Sequence, residues 1–344
     1  MSKMAPSALP PERGGGAEGS MGGRIVKVAF VGKGGSGKTT LSSLFVRYLA
    51  AQGLPVVAID ADINQHLGVA LGLDEDRAAK IPALGDRLTE IKEYLRGDNP
   101  RIASASAMVK TTPPGRGSRL LRFRGDDPIH EAGQEVNGVT LLVTGPFNDD
   151  DLGVSCYHSK TGAVELYLNH LVDGPGEYVV VDMTAGADTF ASGLFTRFDV
   201  MFLVAEPTRK GVSVYRQYTE YARDFDVAIR VVGNKVQTDD DVAFLREHVG
   251  DDLLTWVCQS AAVRALEQGR YPADGAFPLE EENVAALERM RAEVDARVKD
   301  WEKFQRQAVE FHIKNAHRWA NTATGQNLEN QVDPEFRFPS AYTR

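Results

Sequence analysis

Apolar positions along the chain keep two periods. Short unbroken runs at Ile25–Val31, Pro55–Asp60, Val139–Thr144, Tyr178–Asp182, Val200–Val204 and Ile229–Val232 read as buried strands. Between them, Thr39–Gln52, Gly162–Leu171, Val212–Phe225 and Asp240–Val249 carry apolar residues at the three-to-four spacing of helices with one buried face. Buried strands alternating with such helices predict an α/β fold: a doubly wound, mostly parallel sheet with helices on both faces, its ligands at the carboxyl ends of the strands. The rhythm spans 24–270. Beyond it, in a 271–344 extension, Val284, Leu287, Met290, Val294, Val298, Trp301, Phe304, Ala308 and Phe311 recur at steps of three and four, which predicts one long amphipathic helix. Glu288, Arg291, Glu293, Arg297 and Lys299 put both signs of charge on its other face, so it suits the core or a second subunit better than a membrane surface.

Three stretches fall outside that pattern. Residues 1–23, rich in Pro, Gly and Ser, read as a disordered leader. Segment 98–137 reads as a long basic insertion or loop, because Arg101, Lys110, Arg116, Arg119, Arg122 and Arg124 occur between 101 and 125 with no acidic residue. It suits either contact with an acidic partner or a solvated loop. The tail from Asn315 to Arg344 is polar with scattered aromatics and predicts no element.

Composition narrows the function class. With 344 residues, 42% hydrophobic and 25% charged, the chain is long enough for one large domain plus appendages. Its net charge of −9 disfavours general attraction to nucleic acid or anionic lipid. The two cysteines, Cys156 and Cys258, lie far apart, and no apolar run stands near the N-terminus, which together point to a reducing cytoplasm.

The chemistry concentrates in Gly32-Lys33-Gly34-Gly35-Ser36-Gly37-Lys38-Thr39-Thr40, which follows the first strand and opens the first helix. Its G-x-x-x-x-G-K-[ST] frame is that of a phosphate-binding loop: successive backbone N–H groups point into one concavity at the positive end of a helix. Lys38 would bridge the outer phosphates and Thr39 would ligate Mg²⁺. Lys33, on the outer rim of the turn, is placed to act on a second subunit. Asp60 and Asp62, two apart at a strand end, can divide the labour: Asp62 orients the attacking water while Asp60 holds Mg²⁺ through its hydration shell. Asp182 ends another apolar run as a Walker B aspartate, and Met183-Thr184-Ala185-Gly186 gives a small turn suited to sensing the γ-phosphate. In Val231–Gln237, Asn234 can bond the adenine edge. Gln237 stands where guanine recognition needs a carboxylate, so ATP is favoured over GTP.

Together these residues resemble the deviant Walker A ATPases, the group that includes MinD, ParA, the nitrogenase iron protein, the arsenite and tail-anchored-protein ATPases, and the CooC nickel-insertion ATPases. The resemblance covers about Arg24–Gly269. It implies a nucleotide-dependent homodimer in which Lys33 crosses to the partner's nucleotide, a water-positioning role for Asp62, and a second switch at 182–186. Val204-Ala205-Glu206-Pro207-Thr208 is similar to a turn shared by the iron-protein and CooC branches. Cys156-Tyr157-His158 stands where the iron protein has Gly-x-Gly-Cys and CooC has Cys-x-Cys, and Ala185 replaces the iron protein's second cluster cysteine. A dimer would offer only two thiolates there, too few for a [4Fe–4S] cluster. Cys156 and His158 from each subunit could instead form a Zn²⁺ or Ni²⁺ site at the interface, and a buried cysteine with a helix-capping turn fits the same residues. The resemblance implies a slow, partner-regulated ATPase acting on a client protein as a maturation or metal-insertion chaperone. The competing implication is a positioning ATPase on DNA or membrane.

Overall fold

A computed structural model describes residues 26–123, 125–146, 157–172, 174, 176–191, 193–270 and 278–339. The strands are β1 (Val26–Gly32), β2 (Val56–Ala61), β3 (Leu121–Arg122), β4 (Gln134–Val136), β5 (Val139–Val143), β6 (Leu171–Val172), β7 (Tyr178–Met183), β8 (Val200–Ala205), β9 (Ala228–Val236) and β10 (Leu253–Cys258). The helices are α1 (Lys38–Ala51), α2 (Leu67–Ala70), α3 (Glu75–Ala78), α4 (Leu88–Arg96), α5 (Tyr157–His170), α6 (Arg209–Ala222), α7 (Asp239–Val249), α8 (Ala261–Glu267), α9 (Glu281–Asp295), α10 (Trp301–Asn315) and α11 (Asn321–Thr324). Eight strands make one sheet in the order β10-β9-β8-β1-β7-β2-β5-β4, and β3 pairs with β6 apart from it. Every pairing in the large sheet is parallel except β4 with β5. The predicted α/β architecture is therefore the observed one.

Burial on both faces explains the unbroken apolar runs. Alternate residues of β1 serve opposite cores, Ala29 and Val31 on one side, Val28 and Phe30 on the other, and all four are fully buried. On the second side Phe30, Phe45 of α1 and Phe202 of β8 pack ring against ring at 5.5–6.0 Å, which seats α1 on the strand that carries the phosphate loop.

The long C-terminal helix is corrected to two. Ala286, Leu287, Met290 and Val294 of α9 join the core on the α1 side, whereas Phe311 of α10 joins the core on the opposite side. A straight helix cannot serve both faces, so the chain turns between Asp295 and Trp301 and rounds the end of the sheet where β1 begins. Val298, in the middle of the predicted stripe, is 81% exposed. Asp300 restarts the helix by accepting from the Lys303 amide at 2.8 Å, and Lys299 turns inward to Asp199 at 2.8 Å.

The polar tail also has structure. It folds back over the basic segment, where Asp333 accepts from the Arg116 amide at 2.9 Å and the Gln331 amide donates to the Ala107 carbonyl at 2.7 Å. Phe338 stacks near Trp301 at 4.6 Å. The carboxylates of Asp333 and Glu335 that meet Arg116 are thus the chain's own.

Candidate functional site

β1 ends in the phosphate loop because Gly32 meets β8: a Cβ there would lie 2.6 Å from the Val204 carbonyl oxygen. The loop curls back, with the Ser36 amide donating to the Lys33 carbonyl at 3.1 Å. Gly37 then enters α1 in the left-handed region, φ 93°, which only glycine adopts without strain. Lys38, 6% exposed, folds over the loop with Nζ 3.5 Å from the Lys33 carbonyl oxygen. Thr39 and Thr40 lie in the first turn of α1, beside amides left open for an anion.

Parallel register brings the acids together. Asp60 of β2 is the direct partner of Asp182 of β7, and both are fully buried. Asp60 has each oxygen occupied, accepting from the Asp62 amide at 3.1 Å and the Leu67 amide at 2.8 Å, so it braces the turn between β2 and α2. Burial, then the neighbouring Asp182, raise its carboxyl well above the usual range against those two bonds. Asp182 has no hydrogen bond of normal geometry at either oxygen. Burial pushes its carboxyl up to about 7; the Thr39 hydroxyl and the Lys38 ammonium oppose this, and Asp62 adds to it. A buried carboxylate faced by the hydroxyls of Thr39 and Ser42, with no bond of normal geometry to either, is a donor set suited to a hard, oxygen-seeking cation such as Mg²⁺. Asp62, 9% exposed, spends one oxygen on its own turn, accepting from the Asn64 backbone at 2.9 Å and side-chain amide at 3.0 Å.

Asn234 stands behind the loop. Its Nδ2 donates to the Ser36 carbonyl at 2.8 Å, so this amide supports the phosphate loop as well as facing the neighbouring cavity. The next residue, Lys235, takes φ 60° and reaches the rim, where its ammonium donates to the Gly35 carbonyl at 3.0 Å and pairs with Glu206 at 2.5 Å. Lys33 lies across that rim. Partial desolvation and then the like charge of Lys210 lower its pKa, and Glu206 opposes them.

Sequence reasoning missed a cavity of about 210 Å³ continuing from the loop, lined among others by Thr40, Asn234, Val257, Ser260, Val263 and Glu267. Glu267 of α8 accepts from the Thr40 hydroxyl at 2.7 Å. The signal was present but weak: Leu253–Cys258 is an apolar run followed by Ser260, whose hydroxyl accepts from the Val263 amide at 3.0 Å and so starts α8. Cys156 lies outside the described residues, as does the side chain of His158 in the first turn of α5. Among the described residues no three of His, Cys, Asp or Glu converge as a metal centre, and no helix is long and apolar enough to cross a membrane.

The family of CobQ/CobB/MinD/ParA nucleotide binding domains matches residues 28–273. The chain belongs to that family. It is an ATP-binding P-loop protein of the MinD/ParA/CooC type. An uncharacterized ATP-binding protein of Methanocaldococcus jannaschii is 29% identical over 236 residues, 67% of this chain and 84% of the relative. The carbon monoxide dehydrogenase accessory protein CooC of Rhodospirillum rubrum is 28% identical over 245 residues, 71% of this chain and 87% of CooC. In fold, the chain is similar to the septum site-determining protein MinD of Pyrococcus horikoshii, solved with Mg-ADP, at a TM-score of 0.52 and 16% identity, covering 79% of this chain and 96% of that one.

Proposed function

We propose that this protein is an ATP-hydrolysing switch that works as a homodimer on a client protein, as a maturation or metal-insertion chaperone. The observation that carries the reading is the carboxylate of Asp182, fully buried without a hydrogen bond of normal geometry beside Lys38 and Thr39 at the mouth of a curled phosphate loop. ATP supplies the anion, with the phosphates over the amides of Gly34–Thr40 and the base in the cavity beside Asn234. Thr39 and Asp182 would hold Mg²⁺, which would supply positive charge against the triphosphate. Lys38 places its charge against the same triphosphate. Asp62 uses its second oxygen to orient water for attack on the γ-phosphorus, and the bond to the β,γ-bridging oxygen breaks to leave ADP and phosphate. Asp60 anchors the turn that carries Asp62. Lys33, on the rim, reaches the nucleotide of the partner subunit, so ATP closes the dimer and hydrolysis releases it.

The name of the relative CooC supports a maturation role, and a metal at Cys156 and His158 of two subunits, Zn²⁺ or Ni²⁺, belongs to the same reading. The test is steady-state ATP hydrolysis and ATP-dependent dimerisation by light scattering, with and without a candidate client metalloenzyme. Nucleotide-independent oligomers, or ATP-dependent binding to liposomes or DNA with no turnover, would refute it.

A further inference from the structure

A continuous set of aromatic side chains leads away from the nucleotide site. Gly186, φ 83°, opens a 3₁₀ turn (Gly186–Ala191) directly after β7, four residues beyond Asp182. Its carbonyl accepts the hydroxyl of Tyr218, a fully buried residue of α6, at 2.5 Å. From Tyr218 the rings continue: Phe190 edge to face at 4.9 Å, Phe195 tilted against it a further 4.8 Å on, and Phe311 of α10 edge to face at 5.4 Å from Phe195. Phe225 closes the far end, 5.1 Å from Phe195 and 5.3 Å from Phe311. There is no slack at that end, since a Cβ on Gly193 would lie 2.9 Å from Cβ of Phe311 and 3.0 Å from its Cγ. Two further bonds hold α10 in place: Gln307 donates to the Phe225 carbonyl at 2.6 Å, and the buried Arg197 donates to the Phe304 carbonyl at 3.0 Å.

We propose that this column couples the turn after Asp182 to the C-terminal extension, with Tyr218 as the positioning residue that sets the Gly186 carbonyl. The inference rests on the ATP-switch reading above and adds the element on which the switch acts. A γ-phosphate engaging the turn displaces the Gly186 carbonyl, and Tyr218, bonded to it, must follow. Rings packed at van der Waals distance repack in steps rather than deform smoothly, so the displacement is passed to Phe311 instead of being absorbed. Phe311 lies beyond residue 273, where the family match ends. The nucleotide state is thereby read out by a segment the shared domain does not include.

Trp301, in the same helix as Phe311 and packed on Phe304 and Phe338, is a native reporter. In the full chain carrying Trp256→Phe and Trp319→Phe, a slowly hydrolysed ATP analogue with Mg²⁺ should change Trp301 emission, whereas Mg-ADP should not. Tyr218→Phe and Phe311→Leu should each reduce that change at least about fivefold, and by linkage should draw the ratio of ATP to ADP affinity towards one while ADP affinity stays as it was. Should Phe311→Leu fold poorly, Tyr218→Phe carries the test, since it removes one oxygen and leaves the ring. A triphosphate-specific signal that survives both substitutions, or nucleotide binding without any Trp301 response, overturns the coupling alone. Failure of the parent chain to bind nucleotide removes the ATP reading and the coupling together.

Discussion

Gly37→Ala tests the loop geometry most directly. In the native loop Gly37 has φ 93°, and a Cβ there would fall well inside contact distance of Asn234 Nδ2. Holding alanine in the left-handed region costs about 1–2 kcal/mol. Asn234 can retreat only by giving up its 2.8 Å bond to the Ser36 carbonyl, a further loss of about 1–2 kcal/mol for a buried pair. An empty loop can relax to avoid both penalties, but a phosphate-bound loop cannot, so the loss falls on binding: about 3 kcal/mol, or roughly a hundredfold in Kd. Titration calorimetry with ATP analogue and Mg²⁺ measures it, with urea denaturation of the apo protein as control for global damage. Asn234→Ala alone should weaken binding about tenfold, the share of the lost bond. The double variant should then be tighter than the sum of the two predicts, because removing the amide also removes the obstacle. Strictly additive losses, or a Gly37→Ala protein that binds as well as the parent, would refute the packing of Asn234 against the loop.

The two loop lysines should separate. Lys38→Ala is expected to weaken nucleotide binding by at least about tenfold, as loss of a charge-assisted contact requires, while Lys33→Ala should bind normally in calorimetry yet stay monomeric with ATP in light scattering. Asp62→Asn should lower turnover by about a hundredfold or more with nucleotide affinity intact, measured by phosphate release. His170 gives a pH signature: it is fully buried with Nδ1 2.9 Å from the Leu166 carbonyl, and burial lowers its pKa to about 4. Its folded pKa lies below its unfolded one, so stability is full above pH about 6.5 and falls as pH drops towards about 4, by about 3 kcal/mol in all. His170→Gln should flatten that slope in urea denaturation, leaving the part due to His312, which burial lowers in the same direction.

What was legible in the sequence was contiguous. The phosphate loop names its residues in one stretch, and Asp60 and Asp182 could be placed because each ends a run that only a buried strand explains. The register that sets them side by side is a tertiary fact, and so is the bond from Asn234 to a carbonyl 198 residues away. β10 escaped notice because it is an edge strand with shifted register and only alternate residues buried, which blurs its apolar run. The C-terminal stripe was read as one helix because periodicity reports that a face is buried and not against which side of a sheet. The tail looked featureless because its partners, Arg116 in a turn and Ala107 in a single 3₁₀ turn, carry no periodic apolar pattern that would announce a docking surface.

Lys27 is the second residue of the strand that ends in the phosphate loop, and it is fully buried. Its backbone amide donates to Asp199 at 2.9 Å, its ammonium to the Leu171 carbonyl at 2.9 Å, and the rings of Trp301 and Phe304 lie 5.3 and 4.7 Å from that charge. A cation inside an otherwise apolar strand needs such partners, and those rings and that carbonyl are among the groups that shelter it. Trp301 and Phe304 lie beyond residue 273, where the family match ends. The unit that evolution copies and the unit that folds therefore have different borders in this protein, and a fragment cut where the module ends would lose the surroundings that make Lys27 affordable.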